Sequence, residues 1–502
     1  MPPLPDRSST GFHRFSTGTL TLVWMTVWGL ANLAWLHQDL LPRDGDEEGH
    51  VGAAELFRED LRAHDLVGFL HRLWVGDMGD YPSLYPAVTG AWWWTTGVGE
   101  PGVPQVRALG LLWVLVAALG TAAIARRSGR PGAPLLAFVT VTLLPLPVGL
   151  GRHLMPEGML VAATVLAVLA ALRSAEAPSL GRGLVLGLAL GAGLLLKQTF
   201  VLLAGPGVLA ALVLGSTTSA PAARARALGA ALLGCCLLAG PWYLLHLRAQ
   251  LAYGSDSAAH PGAASLLAHL AWHPVALVLL VVGPPLSALA ALGLALALRA
   301  GGPGRQVALL AGAWLLGCLL LLTAIPKKYP RLLAPVAPAA ALLVAAGLSE
   351  RRLLSGSAVL LLGGGWLGWR STHAPLDLPR SLQRVVPGCP QHWLRPPVDD
   401  DLGLAAVAAR VREAGPGPVR VIGGPDIPCA LQTTAPWAEQ LSPYLRRTGD
   451  DREVLLGPGP QPAALTLRWE ADGLPSTAQA EPGAPLLAVP LLRGHFRLER
   501  GP

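Results

Sequence analysis

Long apolar runs separated by short basic segments fill the chain up to about residue 370. A helix needs ~20 apolar residues to cross a bilayer, and Lys and Arg mark the cytoplasmic loops between spans. These two rules predict about 11 membrane spans. The predicted spans cover residues 18–36, 106–125, 133–150, 158–172, 183–196, 200–214, 228–247, 273–298, 307–325, 332–348 and 353–369.

One further apolar segment, residues 83–98, is predicted to lie at the outer membrane surface as a juxtamembrane or re-entrant helix. It is short, rich in tryptophan and interrupted by proline and glycine. If this segment crossed the membrane, every later loop would lie on the opposite side and the basic loops would be outside. A juxtamembrane position instead makes the successive inner loops basic. The pattern therefore predicts a polytopic α-helical membrane protein with outer juxtamembrane helices.

The chain after residue 370 is different, because it is rich in Pro and Gly and lacks long apolar runs. A helix signal at 402–414 and strand-like pieces at 419–422, 453–456 and 464–469 predict a small C-terminal α/β domain outside the membrane. The predicted organisation is a cytoplasmic N-terminus (1–17), a transmembrane domain (18–369) that contains the first outer loop with a juxtamembrane helix (38–82), and an extracytoplasmic tail (370–502).

Composition supports this reading. Of 502 residues, 52% are hydrophobic and only 14% are charged, whereas a soluble domain has about 25% charged residues. The net charge of +7 comes from arginines clustered between apolar runs, as in cytoplasmic loops of membrane proteins. It is therefore not evidence that the protein binds nucleic acid. Cys235, Cys236 and Cys318 lie in apolar runs and are predicted to be inert, while Cys389 and Cys429 could pair if the tail faces an oxidising compartment.

The first outer loop carries the main acidic group of the membrane part, namely Asp44, Asp46, Glu47 and Glu48. Carboxylates at a membrane surface are costly unless they are solvated or functional, so this group is the candidate reaction centre. The alternative is a solvated loop at a helix N-terminus, where acidic residues favour the helix dipole. Farther along the same loop, Arg58, Asp60, Arg62 and Asp65 are predicted to form the wet face of an amphipathic helix that lies on the membrane.

Other polar residues lie at span ends that the loop charges place on the same outer face. They are Arg152, His153, Glu157, Lys197, Lys327, Lys328 and Arg331. Carboxylates can serve as general bases, and cations supply the donors that a phosphate needs. Three alternatives stay open: Lys197 could snorkel to the interface, the later cations could bind lipid headgroups, and Glu157 could favour the dipole of its helix.

Seven sequence elements in this order resemble GT-C-fold glycosyltransferases, the group that includes protein O-mannosyltransferases and lipid A aminoarabinose transferases. The similarity covers roughly residues 15–370. The elements are Asp-Gly-Asp-Glu-Glu at 44–48, Tyr-Pro-Ser-Leu-Tyr-Pro at 81–86, Arg107, Gly-Arg-His-Leu-Met-Pro-Glu at 151–157, the Gly-Leu to Leu-Lys stretch at 187–197, Pro-Trp-Tyr at 241–243 and Lys-Tyr-Pro-Arg-Leu-Leu at 328–333.

The resemblance implies transfer of a sugar from a polyprenyl-phosphate donor to a lipid, glycan or protein acceptor, in a bacterial-type inner membrane with the site facing outward. Asp46 is then the expected base, with Asp44 second and Glu47 beside them. The expected substrate contacts are Tyr85, Arg152, His153, Glu157, Lys197, Lys327, Lys328 and Arg331. A divalent cation held by Asp46 and Glu157 is an open alternative for the cofactor, and a transporter or flippase for an envelope lipid is the alternative function.

Overall fold

The structure of the protein is a computed structural model. It describes residues 17–39, 45–76, 81–99, 104–215, 220–252, 265–326, 328–349 and 352–372, and in the tail 404–413, 419–422, 454–456, 465–471, 486–489 and 494–500.

Helices make up nearly all of the described residues before position 373. They are α1 Thr17–Gln38, α2 Gly45–Arg62, α3 Leu66–Trp74, α4 Leu84–Thr96, α5 Pro104–Ala125, α6 Ala133–Thr142, α7 Pro145–Gly151, α8 Glu157–Glu176, α9 Leu180–Leu196, α10 Phe200–Leu214, α11 Pro221–Leu245, α12 Leu266–Ala276, α13 Pro284–Ala300, α14 Gly302–Ala324, α15 Ala337–Leu348, α16 Arg352–Ala358 and α17 Gly365–Thr372. Short 3₁₀ helices at Arg126–Ser128 and Pro330–Val336, and π-helical turns at Leu277–Val281 and Val359–Gly364, adjoin them.

Six helical stretches in the described residues are long and apolar enough to cross a membrane, or up to eight if each of two bent pairs is one span. This makes the chain a multi-pass membrane protein. The expected spans at 133–150 and 273–298 are both broken, by bends of 60° and 109°. Pro145 and Pro284 start the second helix of each pair, since proline cannot continue a preceding helix. The total of about 11 crossings stays a prediction.

Helices α2, α3 and α4 form a layer beside the spans, in the region expected to be juxtamembrane. Helix α4 has 13 residues, too few to cross a bilayer. It packs directly on α2, where Gly90 lies so close to the α2 backbone that a side chain would meet Ala54. The expected exposure is wrong for Arg58 and Asp60, which are buried, but it is confirmed for Arg62 and Asp65. Arg58 lies 4.0 Å over the Trp93 ring, and Asp60 pairs with Arg72 at 2.8 Å.

The two ends of the helix bundle differ in charge. At one end, called the basic end, Arg127 pairs with Glu176 and Arg130 donates to the carbonyl of Ala346 at 2.7 Å. At the other end, called the site end, α8 begins with Glu157 and α9 ends just before Lys197. The charged residues of the six candidate spans all lie near a span end.

The tail contains one described helix and a mixed sheet. The helix is α18 Leu404–Glu413, and the strands are β1 Val419–Ile422, β2 Val454–Leu456, β3 Leu465–Ala471, β4 Leu486–Val489 and β5 Gly494–Arg500. The strand order is β2-β1-β3-β5-β4, with β1 parallel to β2 and β3, and β5 antiparallel to β3 and β4. A separate outer domain stays a prediction, and Cys389 and Cys429 lie outside the described residues.

Close packing of α9 on α11 fixes the helix that leads to Lys197. Gly183 and Gly187 lie one turn apart on α9, and a Cβ on either would overlap the carbonyl oxygen of Ala227 or Ala231 on α11. Small residues at such contacts let two membrane helices approach, and van der Waals packing then stabilises the pair.

Replacing Gly187 with Ala is expected to lower the thermal unfolding midpoint of the purified protein in detergent, because the added methyl group forces α9 away from α11. Gly229→Ala on α11 is the matched control, since a Cβ there meets nothing within 4 Å. The control variant should unfold at or slightly above the parent midpoint, because alanine favours helix over glycine. Equal midpoints for the two variants would contradict the packing described here.

Candidate functional site

Four side chains of alternating charge form a chain across the site end of the bundle. Asp46 on α2 contacts Arg331, whose Nε lies 3.8 Å from Glu157 Oε1. The same oxygen of Glu157 accepts a hydrogen bond from Lys197 Nζ at 2.7 Å. The four residues come from α2, the 3₁₀ helix at Pro330–Val336, the first turn of α8 and the end of α9. Tertiary packing thus brings together charges that are 285 residues apart in sequence.

Burial of the side chains increases from Asp46 through Arg331 to Glu157. Asp46 has a side chain that is 46% exposed, whereas Arg331 is at 15% and Glu157 at 1%. Lys197 does not snorkel to the interface, since its side chain is only 7% exposed and pairs with Glu157. A carboxylate as buried as Glu157 requires compensating charge. Lys197 and Arg331 supply it.

His50 lies beside this cluster, one turn after Asp46 on α2. Its ring meets those of Tyr81 and Tyr85 edge-on, with centroids 6.3 Å and 5.2 Å away. Burial lowers the pKa of His50 to about 4, so the ring is neutral at pH 7. Burial also raises the pKa of Tyr85, which therefore keeps its phenolic proton. These rings make an uncharged wall next to the four charges, and the sequence pattern did not predict that His50 belongs to it.

Glu47 belongs to a second, buried network. Its Oε1 accepts a hydrogen bond from the backbone N–H of Leu154 at 2.7 Å, and its Oε2 lies 3.2 Å from His153 Nδ1. Burial alone would raise the pKa of Glu47, but His153, Arg107 and the Leu154 N–H hold it well below its usual range. The network attaches α2 to the loop that precedes α8, and so positions Asp46 relative to Glu157.

Two arginines of the sequence motifs hold the scaffold together, and one of them, Arg152, was expected to contact substrate. Arg107 donates to Asp39 Oδ2 at 2.9 Å and to the carbonyl of Arg152 at 2.9 Å. Arg152 donates to Asn32 Oδ1 at 2.9 Å and lies 4.7 Å above the Trp35 ring. These bonds connect α1, α5 and the loop before α8. Both side chains are buried, as is Asp39, whose role the sequence did not indicate.

Lys328 lies three residues before Arg331 and donates to backbone carbonyls at the end of α14. Its Nζ is 2.7 Å from the Ile325 oxygen and 3.1 Å from that of Thr323, and it lies 3.4 Å from His269 Nε2. Burial lowers the pKa of Lys328 to about 8. Its charge is therefore sensitive to pH just above neutrality.

Two expected site residues, Asp44 and Lys327, lie outside the described residues. Within the part of the chain that is described, no group of three or more His, Cys, Asp or Glu side chains could hold a metal ion. Arg331 contacts Asp46 and approaches Glu157, so the guanidinium occupies the position between them that a cation would need. The residues present do not fit a divalent ion held by this pair.

A family model described as dolichyl-phosphate-mannose-protein mannosyltransferase matches residues 92–244. A search of curated proteins finds no significant match. The crystal structure of ArnT from Cupriavidus metallidurans in the apo state is similar over 96% of this chain and 98% of ArnT, with a TM-score of 0.59 and 17% identity. The structure of the same ArnT bound to undecaprenyl phosphate covers the same shares, with a TM-score of 0.58 and 16% identity.

The chain has the GT-C fold. This confirms the resemblance to GT-C-fold glycosyltransferases that the ordered sequence motifs gave. The family model covers the region from α4 to α11, which contains the loop before α8, Glu157 and Lys197. In this GT-C protein the charged motif residues that the structure describes collect at one end of the helices rather than along a path through them.

Replacing Lys197 with Met is expected to destabilise the protein strongly, because it removes the closest partner of buried Glu157. Loss of one member of a buried pair typically costs about 3–5 kcal/mol, whereas replacing both members is tolerated far better. The double variant Glu157→Gln with Lys197→Met should therefore unfold at a higher temperature than Lys197→Met alone. A double variant that is the less stable of the two would refute the pairing.

Proposed function

We propose that this protein is a membrane glycosyltransferase that moves a sugar from a polyprenyl-phosphate donor to an acceptor hydroxyl at the outer face of the membrane. The observation that carries the proposal is the set of four converging charges at the site end, Asp46, Arg331, Glu157 and Lys197. Such a mixed cluster at the bilayer boundary suits a reaction in which a hydroxyl loses a proton and a lipid phosphate leaves. The GT-C fold and the likeness to ArnT with undecaprenyl phosphate support the same chemistry.

Asp46 is the general base in this proposal. It is the most exposed carboxylate of the cluster, so an acceptor hydroxyl can reach it. The hydroxyl gives its proton to Asp46 while its oxygen attacks the anomeric carbon. The bond from that carbon to the phosphate oxygen breaks, and its electron pair leaves with the polyprenyl phosphate. Attack opposite the leaving group inverts the anomeric centre.

Arg331 and Lys328 receive the donor phosphate. A guanidinium presents several N–H groups in one plane and binds phosphate through two of them. Because Arg331 contacts Asp46, a phosphate at this guanidinium competes with Asp46 for it. Binding of the donor thereby loosens Asp46 from its partner at the moment when the base is needed.

Glu157 and Lys197 orient the sugar. Glu157 Oε1 is occupied by Lys197, but Oε2 is buried without a hydrogen-bond partner in the described part of the chain. An unpaired buried oxygen is costly, and a hydroxyl or amine of a bound sugar would satisfy it. Three residues support this site without contacting the sugar, since their contacts fix the loop before α8. They are Glu47, His153 and Arg152. Tyr85 closes the wall beside His50.

Transport or flipping of a lipid would require polar groups along a path through the bundle. The buried threonines within the spans, such as Thr121 on α5 and Thr164 on α8, donate instead to carbonyls one turn earlier in their own helices. The charges gather at the ends, which favours the transferase.

Replacing Asp46 with Asn is expected to reduce sugar transfer by about 10²–10⁴-fold, the usual contribution of a general base. The assay combines purified protein in lipid, radiolabelled polyprenyl-phosphate sugars and a crude envelope fraction as the source of acceptor. Glu59→Gln is the matched control, because Glu59 is an exposed carboxylate on the same helix and lies outside the cluster.

Label should move to an acceptor with the parent protein and with Glu59→Gln, but not with Asp46→Asn. Full turnover by Asp46→Asn would refute its role as base. Absence of transfer by the parent, with label crossing the bilayer of sealed vesicles instead, would replace the transferase with a flippase.

The KM for the donor is expected to rise between about pH 7.5 and 9, because Lys328 has a pKa of about 8 and loses its charge over that range. A polyprenyl-phosphate sugar is a phosphodiester, whose charge does not change there. Lys328→Arg keeps a positive charge at every pH in the series and should flatten the profile.

Lys328→Met serves as the second comparison, since it lacks the charge throughout. Its KM should be high at pH 7 and should not rise further with pH. If Lys328→Arg shows the same rise of KM with pH as the parent, another group titrates. Lys328 would then not bind the donor phosphate.

A further inference from the structure

An apolar groove lies between α8 and α9, on the outside of the bundle and toward its basic end. Its volume is about 550 Å³, within the range of ~300–1,000 Å³ that small-molecule ligands occupy. Leu166, Leu169, Val185 and Ala189 form its walls. Leu166 and Val185 are 38% and 59% exposed, so the groove opens sideways toward the surrounding lipid.

Arg173 and Arg182 close the groove at one end. Arg173 lies sixteen residues after Glu157 on α8, which is about 24 Å along the helix axis. Arg182 stands on the first turn of α9, about 21 Å along the axis from Leu196 at the other end of that helix. Hydrocarbon in a bilayer is about 30 Å thick, so the two arginines lie near one boundary while Glu157 and Lys197 lie near the other.

The mouth of the groove has an excess of positive charge that is held in place. Nη1 of Arg182 donates to the carbonyls of Arg173 and Ala177, both at 3.1 Å, which fixes this guanidinium over the end of α8. Glu176, a carboxylate close to these arginines, accepts two hydrogen bonds from Arg127. The N-terminus of α9 also faces this region, and its dipole favours an anion.

From this arrangement we propose that the groove binds an anionic phospholipid, with one acyl chain along the apolar walls and the phosphate at Arg173 and Arg182. Basic pockets between membrane helices on the cytoplasmic side recognise anionic headgroups in this way. The same two helices carry Glu157 and Lys197 at their other ends. The bound lipid therefore stabilises the helix pair on which the charged cluster depends, whatever reaction that cluster performs.

The test uses the full-length protein purified in detergent and mixed with equal amounts of phosphatidylglycerol and phosphatidylcholine of the same acyl chains. Native mass spectrometry then counts each lipid that stays bound. The parent should retain phosphatidylglycerol over phosphatidylcholine, and Arg173→Gln should reduce that preference at least several-fold. Arg305→Gln is the control, because Arg305 is an exposed arginine of α14 at the basic end and does not line the groove.

A second variant keeps both arginines and obstructs the walls. Ala189→Phe should lower retention of phosphatidylglycerol, which distinguishes a seated lipid from ionic attraction at the surface alone. Thermal unfolding without lipid shows whether each variant is folded, and added phosphatidylglycerol should stabilise the parent more than either groove variant. The proposal would be overturned if the parent retained the two lipids equally, or if Arg173→Gln and Ala189→Phe kept the preference of the parent. It would also be overturned if polyprenyl phosphate displaced the bound phosphatidylglycerol.

Discussion

The fold of this protein at the site end of the bundle depends on keeping one buried carboxylate charged. Glu157 is almost wholly inaccessible, and an isolated ion there would cost several kcal/mol. Lys197 and Arg331 offset that cost, and each arrives from a different part of the chain. The loop before α8, the end of α9 and the 3₁₀ helix before α15 must therefore meet at one point. Asp46 joins the same cluster through Arg331, so the position of α2 depends on the carboxylate as well.

A second set of buried polar contacts makes this meeting point rigid. Glu47 binds the backbone N–H of Leu154, and Arg107 binds both Asp39 and the carbonyl of Arg152. The two glutamates therefore perform different tasks, although both are buried carboxylates near the same membrane boundary. Glu47 has each oxygen engaged by protein groups, whereas Glu157 keeps one oxygen unpaired in the described part of the chain. A fully satisfied carboxylate fixes structure, and a partly satisfied one is available to a ligand.

The sequence predicted those features that follow from hydropathy and from charge at helix ends. It located the six long candidate spans, the short α4 segment, the strand at 419–422, and the end of the bundle at which Glu157, Lys197 and Arg331 meet. It could not predict which charges are paired. Arg58 and Asp60 were predicted to be exposed to solvent because they are charged, but packing of α4 on α2 buries them. His50 and Asp39 gave no signal, since their surroundings are made by residues distant in sequence. The bends at Pro145 and Pro284 were also missed, because a proline inside an apolar run shows where a helix can break but not by what angle.

The position of Arg331 connects the stability of the cluster to its chemistry. In the structure this guanidinium shares its charge between an exposed carboxylate and a buried one. In the proposed reaction, a phosphate that approaches from the membrane boundary would meet Arg331 on its Asp46 side, because Glu157 lies deeper and is held by Lys197. Asp46 is then the partner that gives way, and Glu157 keeps enough positive charge to remain ionised. A single cation in place of Lys197 and Arg331 could not both bind the phosphate and compensate Glu157. Losing that cation to the phosphate would leave the buried carboxylate without a positive partner.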